Sequence, residues 1–317
     1  MLDLMESQKK SKYEATRPPN LRIPHHKEEQ KVQSGTASTA HLSPLRKPAK
    51  NEPMIDPELQ NKCIGWAEIR CRAPLPERRS YHSLNIVDNI LILYGGFDIS
   101  EGDRGSMYIL DLCAEEPVWT RVELKTAEVP VSLCRHTAVI YDKQLWVLGG
   151  ERNYEPVNCF FAIHLETFEV KNFKPKKRAK FKSASSETQE QQAPSSLDSH
   201  TAVVMEESKN TDEARMFVFG GYRNSVCSNR LYVYNFMREE WKQAERKGPV
   251  PCARAGHAAA TWKNYMYIVG GIDSDSTKLN DIWRLEVDSL KWERVKPQKS
   301  KEARYPPPRS GHGAVVH

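Results

Sequence analysis

Residues 253–295 read ARAGHAAATWKNYMYIVGGIDSDSTKLNDIWRLEVDSLKWERV, and their pattern recurs along the chain. Arg254 and His257 open the unit as Arg-x-x-His. A short apolar run follows, then a polar turn at Lys263-Asn264. The next run, from Tyr265 to the glycine pair Gly270-Gly271, is apolar or small on both alternating faces. Such a run, bounded by Asn and Gly, reads as a buried strand. A polar loop leads to a third strand around Trp283, and the last strand carries Trp292. Four short strands in about 50 residues, repeated, are the signature of one blade of a β-propeller.

Counting supports the repeat. Histidines open the units at His82, His136, His200, His257 and His312. Glycine pairs stand at Gly95-Gly96, Gly149-Gly150, Gly220-Gly221 and Gly270-Gly271. From His to the first Gly the distance is 13 in three units (82 to 95, 136 to 149, 257 to 270) and 20 in the third (200 to 220). The extra seven fall in the polar stretch 206–214, where a hairpin loop lengthens at little cost. Aromatics follow at Tyr108, Phe160-Phe161, Tyr232 and Trp283, and later a tryptophan at Trp119, Trp241 and Trp292. The second unit has no such tryptophan, and Phe168 or Phe173 is expected to stand in.

Histidine, a strand ending Gly-Gly, then a spaced Tyr and Trp: this combination is similar to the kelch repeat, from roughly residue 65 to the C-terminus. The resemblance implies an all-β, kelch-type β-propeller over 63–317. Full blades are expected at about 79–123, 136–173, 200–244 and 257–295, with an incomplete blade from 307. It says little about function, because propellers host many functions.

Composition narrows the class. The net charge of +6 is mild against 88 charged residues (47 + 41) and does not by itself point to nucleic acid. The seven cysteines are scattered, none in Cys-x-x-Cys, and read as free thiols of a reducing compartment. The N-terminus has no signal-peptide pattern and no stretch approaches 18 apolar residues, so the expectation is a cytoplasmic protein with no membrane span. Residues 1–62 hold many prolines, few aromatics and unpatterned charge, and read as a disordered tail. No pattern for an oligomerising BTB module, common in kelch proteins, is present there, and the oligomeric state stays open.

Gly65-Trp66-Ala67-Glu68-Ile69 resembles the last strand of a blade, placed where many propellers close their ring with a strand from the other end of the chain. Residues 309–317 begin a fifth unit. Four blades plus these two strands read as part of a six-blade ring. Between the second and third units lies the loop 174–196, whose first nine residues, KPKKRAKFK, include six basic ones. It reads as a flexible connection; the basic run between Lys176 and Lys182 is also a nuclear-import or phosphate-binding pattern.

The recurring residues are read as structural. Histidines at equivalent positions around a propeller channel stand too far apart to meet one ion at about 2.0–2.1 Å, so no metal or other cofactor is expected. Their rings are expected to satisfy backbone groups at blade junctions. The glycine pairs allow a bend and close packing, and the tryptophans pack blade to blade.

Function is expected in the loops of one face. The connections between second and third strands carry Phe97-Asp98-Ile99, Glu151-Arg152-Asn153-Tyr154, Tyr222-Arg223-Asn224-Ser225 and Asp273-Ser274-Asp275. The segments entering the inner strands carry Arg79, Arg135, Arg254 and Arg309, of which Arg79, Arg254 and Arg309 belong to the repeat itself. Arg223-Asn224 after Gly-Gly resembles the placement with which some kelch domains hold acidic peptides. The candidate partner-binding residues are therefore Arg135, Arg152, Asn153, Tyr154, Tyr222, Arg223, Asn224 and Asp273. The expected function is a non-catalytic scaffold or adaptor that binds a protein partner, an acidic segment by the chemistry of arginine. The alternatives are a propeller enzyme of the oxidase or hydrolase class, whose motifs are missing, and a ubiquitin-ligase substrate receptor working with a separate oligomerising module.

Overall fold

The computed structural model describes residues 68–125, 132–173, 193–206, 213–245, 248–296 and 306–316, all within the unit Leu42–His317. The expected tail 1–62, Trp66 and the basic run 176–182 lie outside the described residues. Every regular element among the described residues is a strand, and none of those residues forms a helix long and apolar enough to cross a membrane.

Four blades follow one another, each with four antiparallel strands in chain order. Blade I is Ser83–Val87, Ile90–Tyr94, Met107–Asp111 and Thr120–Val122. Blade II is Thr137–Tyr141, Gln144–Leu148, Phe160–His164 and Val170–Asn172. Blade III is Thr201–Met205, Arg215–Phe219, Leu231–Asn235 and Glu240–Gln243. Blade IV is Ala258–Trp262, Tyr265–Asp273, Lys278–Glu286 and Lys291–Val295. The first strands of consecutive blades pack on one another, which makes them the inner strands. In blades I, II and IV they turn into the second strands through two-residue loops, Asp88-Asn89, Asp142-Lys143 and Lys263-Asn264. Asp88, Asp142, Lys143 and Lys263 take the positive φ that tight hairpins require.

The core lies between blades, because each sheet is apolar on both faces. Tyr94 and Met107 of blade I meet Val147 and Phe161 of blade II. Trp146 and Phe160 of blade II meet Met216 and Trp241 of blade III. Phe219 of blade III meets Ile268 and Trp292 of blade IV. Trp241 lies 5.2 Å from Phe160 and Trp292 lies 4.8 Å from Phe219, ring centre to ring centre, so each tryptophan faces the preceding blade. Trp119 has no preceding blade among the described residues and is only half-buried. Leu84 and Ile86, on the outer face of blade I, are exposed, as is Trp262 at the other end of the row. In blade II, Val170 pairs with Ile163 as Trp241 pairs with Tyr234, and Phe168 packs beside it on the same core. Phe173 packs on the next seam instead.

Main-chain bonds stitch the seams in a repeated scheme. The second glycine of each pair donates its N–H to the carbonyl three residues before the next histidine: Gly96 to Leu133 (2.8 Å), Gly150 to Leu197 (2.7 Å), Gly221 to Arg254 (2.8 Å) and Gly271 to Arg309 (2.9 Å). The residues just before the five histidines form a second ladder. Arg135 donates to Tyr81 (3.0 Å), Ser199 to Arg135 (2.9 Å), Gly256 to Ser199 (2.8 Å) and Gly311 to Gly256 (2.7 Å). All five have positive φ, from 52° at Ser199 to 67° at Gly311. The first glycine of each pair has no room for a side chain. A Cβ at Gly149, where φ is 58°, would lie 2.2 Å from the Leu197 carbonyl oxygen.

The histidines complete the seams, with a partner different from the one expected. Nε2 of His136 shares a hydrogen bond with Oγ of Ser83 (2.9 Å), His200 with Thr137 Oγ1 (2.8 Å) and His257 with Thr201 Oγ1 (2.7 Å). The Nε2 partner is a side-chain hydroxyl of the preceding blade, at the position after that blade's own histidine. At the equivalent position before His312 stands Ala258, and neither ring nitrogen of His312 has a partner. Residues 306–316 thus make main-chain seam bonds to blade IV but no strand. Glu68 and Ile69 also take no strand; the residue that pairs is Arg72, in parallel with Val118 beside the outer strand of blade I, as Lys125 pairs with Glu169 beside that of blade II.

Candidate functional site

Past each glycine pair the chain enters a hairpin, and that hairpin pairs with the residues leading into the blade's own inner strand. Ser80 pairs with Phe97, Cys134 with Glu151, Asp198 with Tyr222 and Ala255 with Ile272. The two loop sets therefore share one face, with four hairpins side by side. Adjacent hairpins touch: the Asn153 N–H donates to the Asp103 carboxylate, and Tyr154 meets Phe97 edge-on at 5.5 Å.

The second residue after each glycine pair distinguishes the blades: Asp98, Arg152, Arg223 and Asp273. The two aspartates turn inward. Asp98 Oδ1 accepts from the Ser100 hydroxyl (2.5 Å) and from the N–H of Ser100 (2.8 Å) and Glu101 (3.1 Å), and these bonds, the hydroxyl first, hold its carboxyl below the usual range. Asp273 Oδ1 accepts from the N–H of Asp275 (3.0 Å) and Thr277 (2.9 Å). The two arginines do not bond within their own hairpins. Arg152 is exposed, and its guanidinium meets no other described side chain. Half-buried Arg223 donates from Nε to Ser195 Oγ at 3.3 Å.

Asn153-Tyr154 and Asn224-Ser225 are two-residue hairpin loops, all four with positive φ. Asparagine suits that backbone, so its place beside arginine here answers a turn requirement. Tyr154 is 53% exposed. Tyr222 is half-buried, and burial, with the Cys227 thiol next to it, raises its phenol. Ile99, in the turn of the first hairpin, and Val226, in the returning strand of the third, are exposed apolar groups on this face.

Arg135 lies nearer the axis, in the ladder that links the blades. Its guanidinium stacks 4.1 Å over the Tyr81 ring and its Nε stands 3.3 Å from Glu151, a buried carboxylate. Tyr81 and Glu151 were missed by sequence reasoning; the signal was their position, one residue before a histidine and one after a glycine pair. The repeat arginines are structural. Arg254, fully buried, donates to the Gly270 carbonyl (2.9 Å) and to both oxygens of Asp281 (2.7 and 2.9 Å). Arg79 donates to the Gly95 carbonyl (3.0 Å) and to Glu77 (2.6 Å).

Among the described residues no group of three or more metal-ligating side chains converges, and no described cysteine is in a disulfide. Burial pushes the Cys159 thiol up to about 12 and that of Cys134 higher, so both are un-ionised at neutral pH.

A family model described as the KLHDC2/KLHL20/DRC7 Kelch-repeats domain matches residues 58–186 and 176–317. The chain is similar to the Leucine-zipper-like transcriptional regulator 1 homolog of Drosophila melanogaster, 26% identical over 71% of this chain and 21% of the relative. It is similar to Kelch domain-containing protein 3 of Homo sapiens, 24% identical over 73% of this chain and 57% of the relative. With Kelch-like protein 40 of Xenopus laevis it shares 24% identity over 70% of this chain and 33% of the relative. The chain thus spans between 21% and 57% of the length of these relatives.

Proposed function

The chain belongs to the kelch-repeat family, and from that premise we propose that it is a non-catalytic interaction module whose hairpin face holds an acidic segment of a partner protein. One observation carries the reading. At one hairpin position, blades I and IV place aspartates that bind their own loops, while blades II and III place Arg152, which is exposed, and Arg223, which is half-buried with one bond to Ser195. Arginine grips carboxylates through paired donors, and exposed aromatics such as Tyr154 add contact area at small entropic cost. The rigid blades beneath hold the hairpins in place before binding, which lowers the ordering cost of association.

The test is charge reversal. Arg152→Glu with Arg223→Glu is expected to abolish capture of binding partners from cell extract while the melting curve stays that of the wild type. Arg152 is exposed and Arg223 makes a single side-chain hydrogen bond, to Ser195, so the fold depends little on either. A double variant that retains the same partners removes the hairpin face as the binding surface.

A further inference from the structure

A cavity of about 160 Å³ lies at the seam between blades II and III. Phe160 and Phe173 of blade II and Trp241 of blade III form its aromatic walls, and Pro194, leading into blade III, closes one side. Phe160 stands 5.6 Å from Phe173 and 5.2 Å from Trp241, ring centre to ring centre. A cavity of about 150 Å³ lined by apolar side chains is known to take up benzene. The volume here therefore matches one phenyl ring. Two amides, Asn158 and Asn172, line the same space, and neither side chain bonds another described residue. Ser195, the residue after Pro194, is the group that Arg223 reaches at 3.3 Å, so a guanidinium stands one residue from the cavity wall.

Apolar walls, two amides open to a ligand and a nearby cation together describe a ligand with an aromatic side chain, a peptide backbone and a carboxylate. We propose that this seam is the side-chain anchor of the interaction face: it takes one phenyl side chain of an extended partner segment. A neighbouring carboxylate of that segment meets Arg223, and its backbone meets the amides of Asn158 and Asn172. The partner is the one of the interaction reading above, on which this inference rests, but the cavity itself is testable without it.

The probe is 3-phenylpropionate, titrated into the purified full chain. The reporter is the indole N–H signal of Trp241 in nitrogen-15 correlation spectra. A ligand this small is expected to bind with Kd on the order of 1 mM. Benzyl alcohol, without the carboxylate, should bind roughly tenfold more weakly, a difference of about 1.4 kcal/mol. Arg223→Ala should bring 3-phenylpropionate to the level of the alcohol. Ala193→Phe, which fills the cavity from its own wall, should abolish the Trp241 shift. If that variant does not melt cooperatively, Asn158→Phe at an exposed position serves as the blocking change. Binding that persists in the filled variant, or shifts that spare Trp241, overturns the anchor. A filled variant that loses the probe yet holds its partner as tightly as wild type also overturns it, and leaves the arginine face standing. Probe binding with partner capture insensitive to Arg152→Glu and Arg223→Glu keeps the cavity and removes the face.

Discussion

Lowering the pH from 7.0 to 5.5 should weaken this fold by about 4 kcal/mol, through three imidazoles. His136, His200 and His257 are buried in successive seams. Burial holds each in its neutral form, with a folded pKa of about 3. The unfolded chain has imidazoles of ordinary pKa, about 6.5. Because the folded value is the lower one, the unfolded state binds more protons between pH 6.5 and 3, and stability falls as pH falls through that window. At pH 5.5 an unfolded imidazole is protonated about ten to one, which costs the folded state roughly 1.3 kcal/mol per ring relative to pH 7.0. Three rings sum to about 4 kcal/mol, a large part of the 5–15 kcal/mol typical of a folded domain. Carboxylates contribute little above pH 5, since their ordinary values lie near 4. The assay is urea unfolding at the two pH values and constant ionic strength. With a slope of roughly 3 kcal/mol per M, the midpoint should drop by about 1 M. His200→Gln should remove roughly 1.3 kcal/mol of the dependence, to which His82 and His312, both held below the ordinary imidazole value by burial, also add. A midpoint that does not move between pH 7.0 and 5.5 would mean that these rings are not held neutral, and the seam chemistry would be wrong.

Thr201→Val keeps the shape of the side chain but strands Nε2 of His257, and should cost about 1–3 kcal/mol, read as a lower melting temperature. Ala258→Thr supplies the hydroxyl missing opposite His312 and should gain about 1 kcal/mol, read as slower hydrogen exchange at the Gly311 amide; unchanged exchange refutes the proposed pairing. Gly149→Val places a β-branched residue at φ 58° with its Cβ 2.2 Å from the Leu197 oxygen, and should abolish cooperative melting of the blade; an unaltered melting curve would remove the close-packing account of the glycine pairs.

The seam residues were legible in the sequence because the repeat repeats its junctions. Each histidine and each glycine pair sits where the main chain of one blade touches the next, so the same constraint writes the same residue each time. The identity of the histidine's partner was not legible. Ser83, Thr137 and Thr201 stand one residue after a histidine but bond to the histidine of the following unit, more than 50 residues on in each case. Only the three-dimensional stacking brings the two together. The stand-in for the missing tryptophan was half legible. Two phenylalanines were candidates, yet the register puts Val170 at the tryptophan position, with Phe168 packed beside it on the blade I–II core and Phe173 on the next seam. The hairpin face was legible as a location and less so in its chemistry. Asn153 and Asn224 look like ligand contacts next to arginine, yet their backbone φ of 51° and 49° shows what the turn demands of them.

Arginines sort by what the fold already does with them. Arg254 lies fully buried with two bonds to Asp281 and one to a main-chain carbonyl, so its charge is satisfied inside the blade and is unavailable to a partner. Arg79 repeats the arrangement with Glu77 and the Gly95 carbonyl. Arg135 is already stacked on Tyr81 and paired with Glu151. Arg152, facing solvent without a described partner, and Arg223, held by one hydroxyl, have binding capacity left. Both stand on the adjacent hairpins of blades II and III, and the aromatic cavity opens at the seam between those same blades. Charge and cavity reinforce each other only if one segment crosses that seam. This is why the two experiments are designed to fail separately. Reversal of the arginines tests the charge, filling from Ala193 tests the cavity, and a partner that responds to both changes is one that lies across blades II and III.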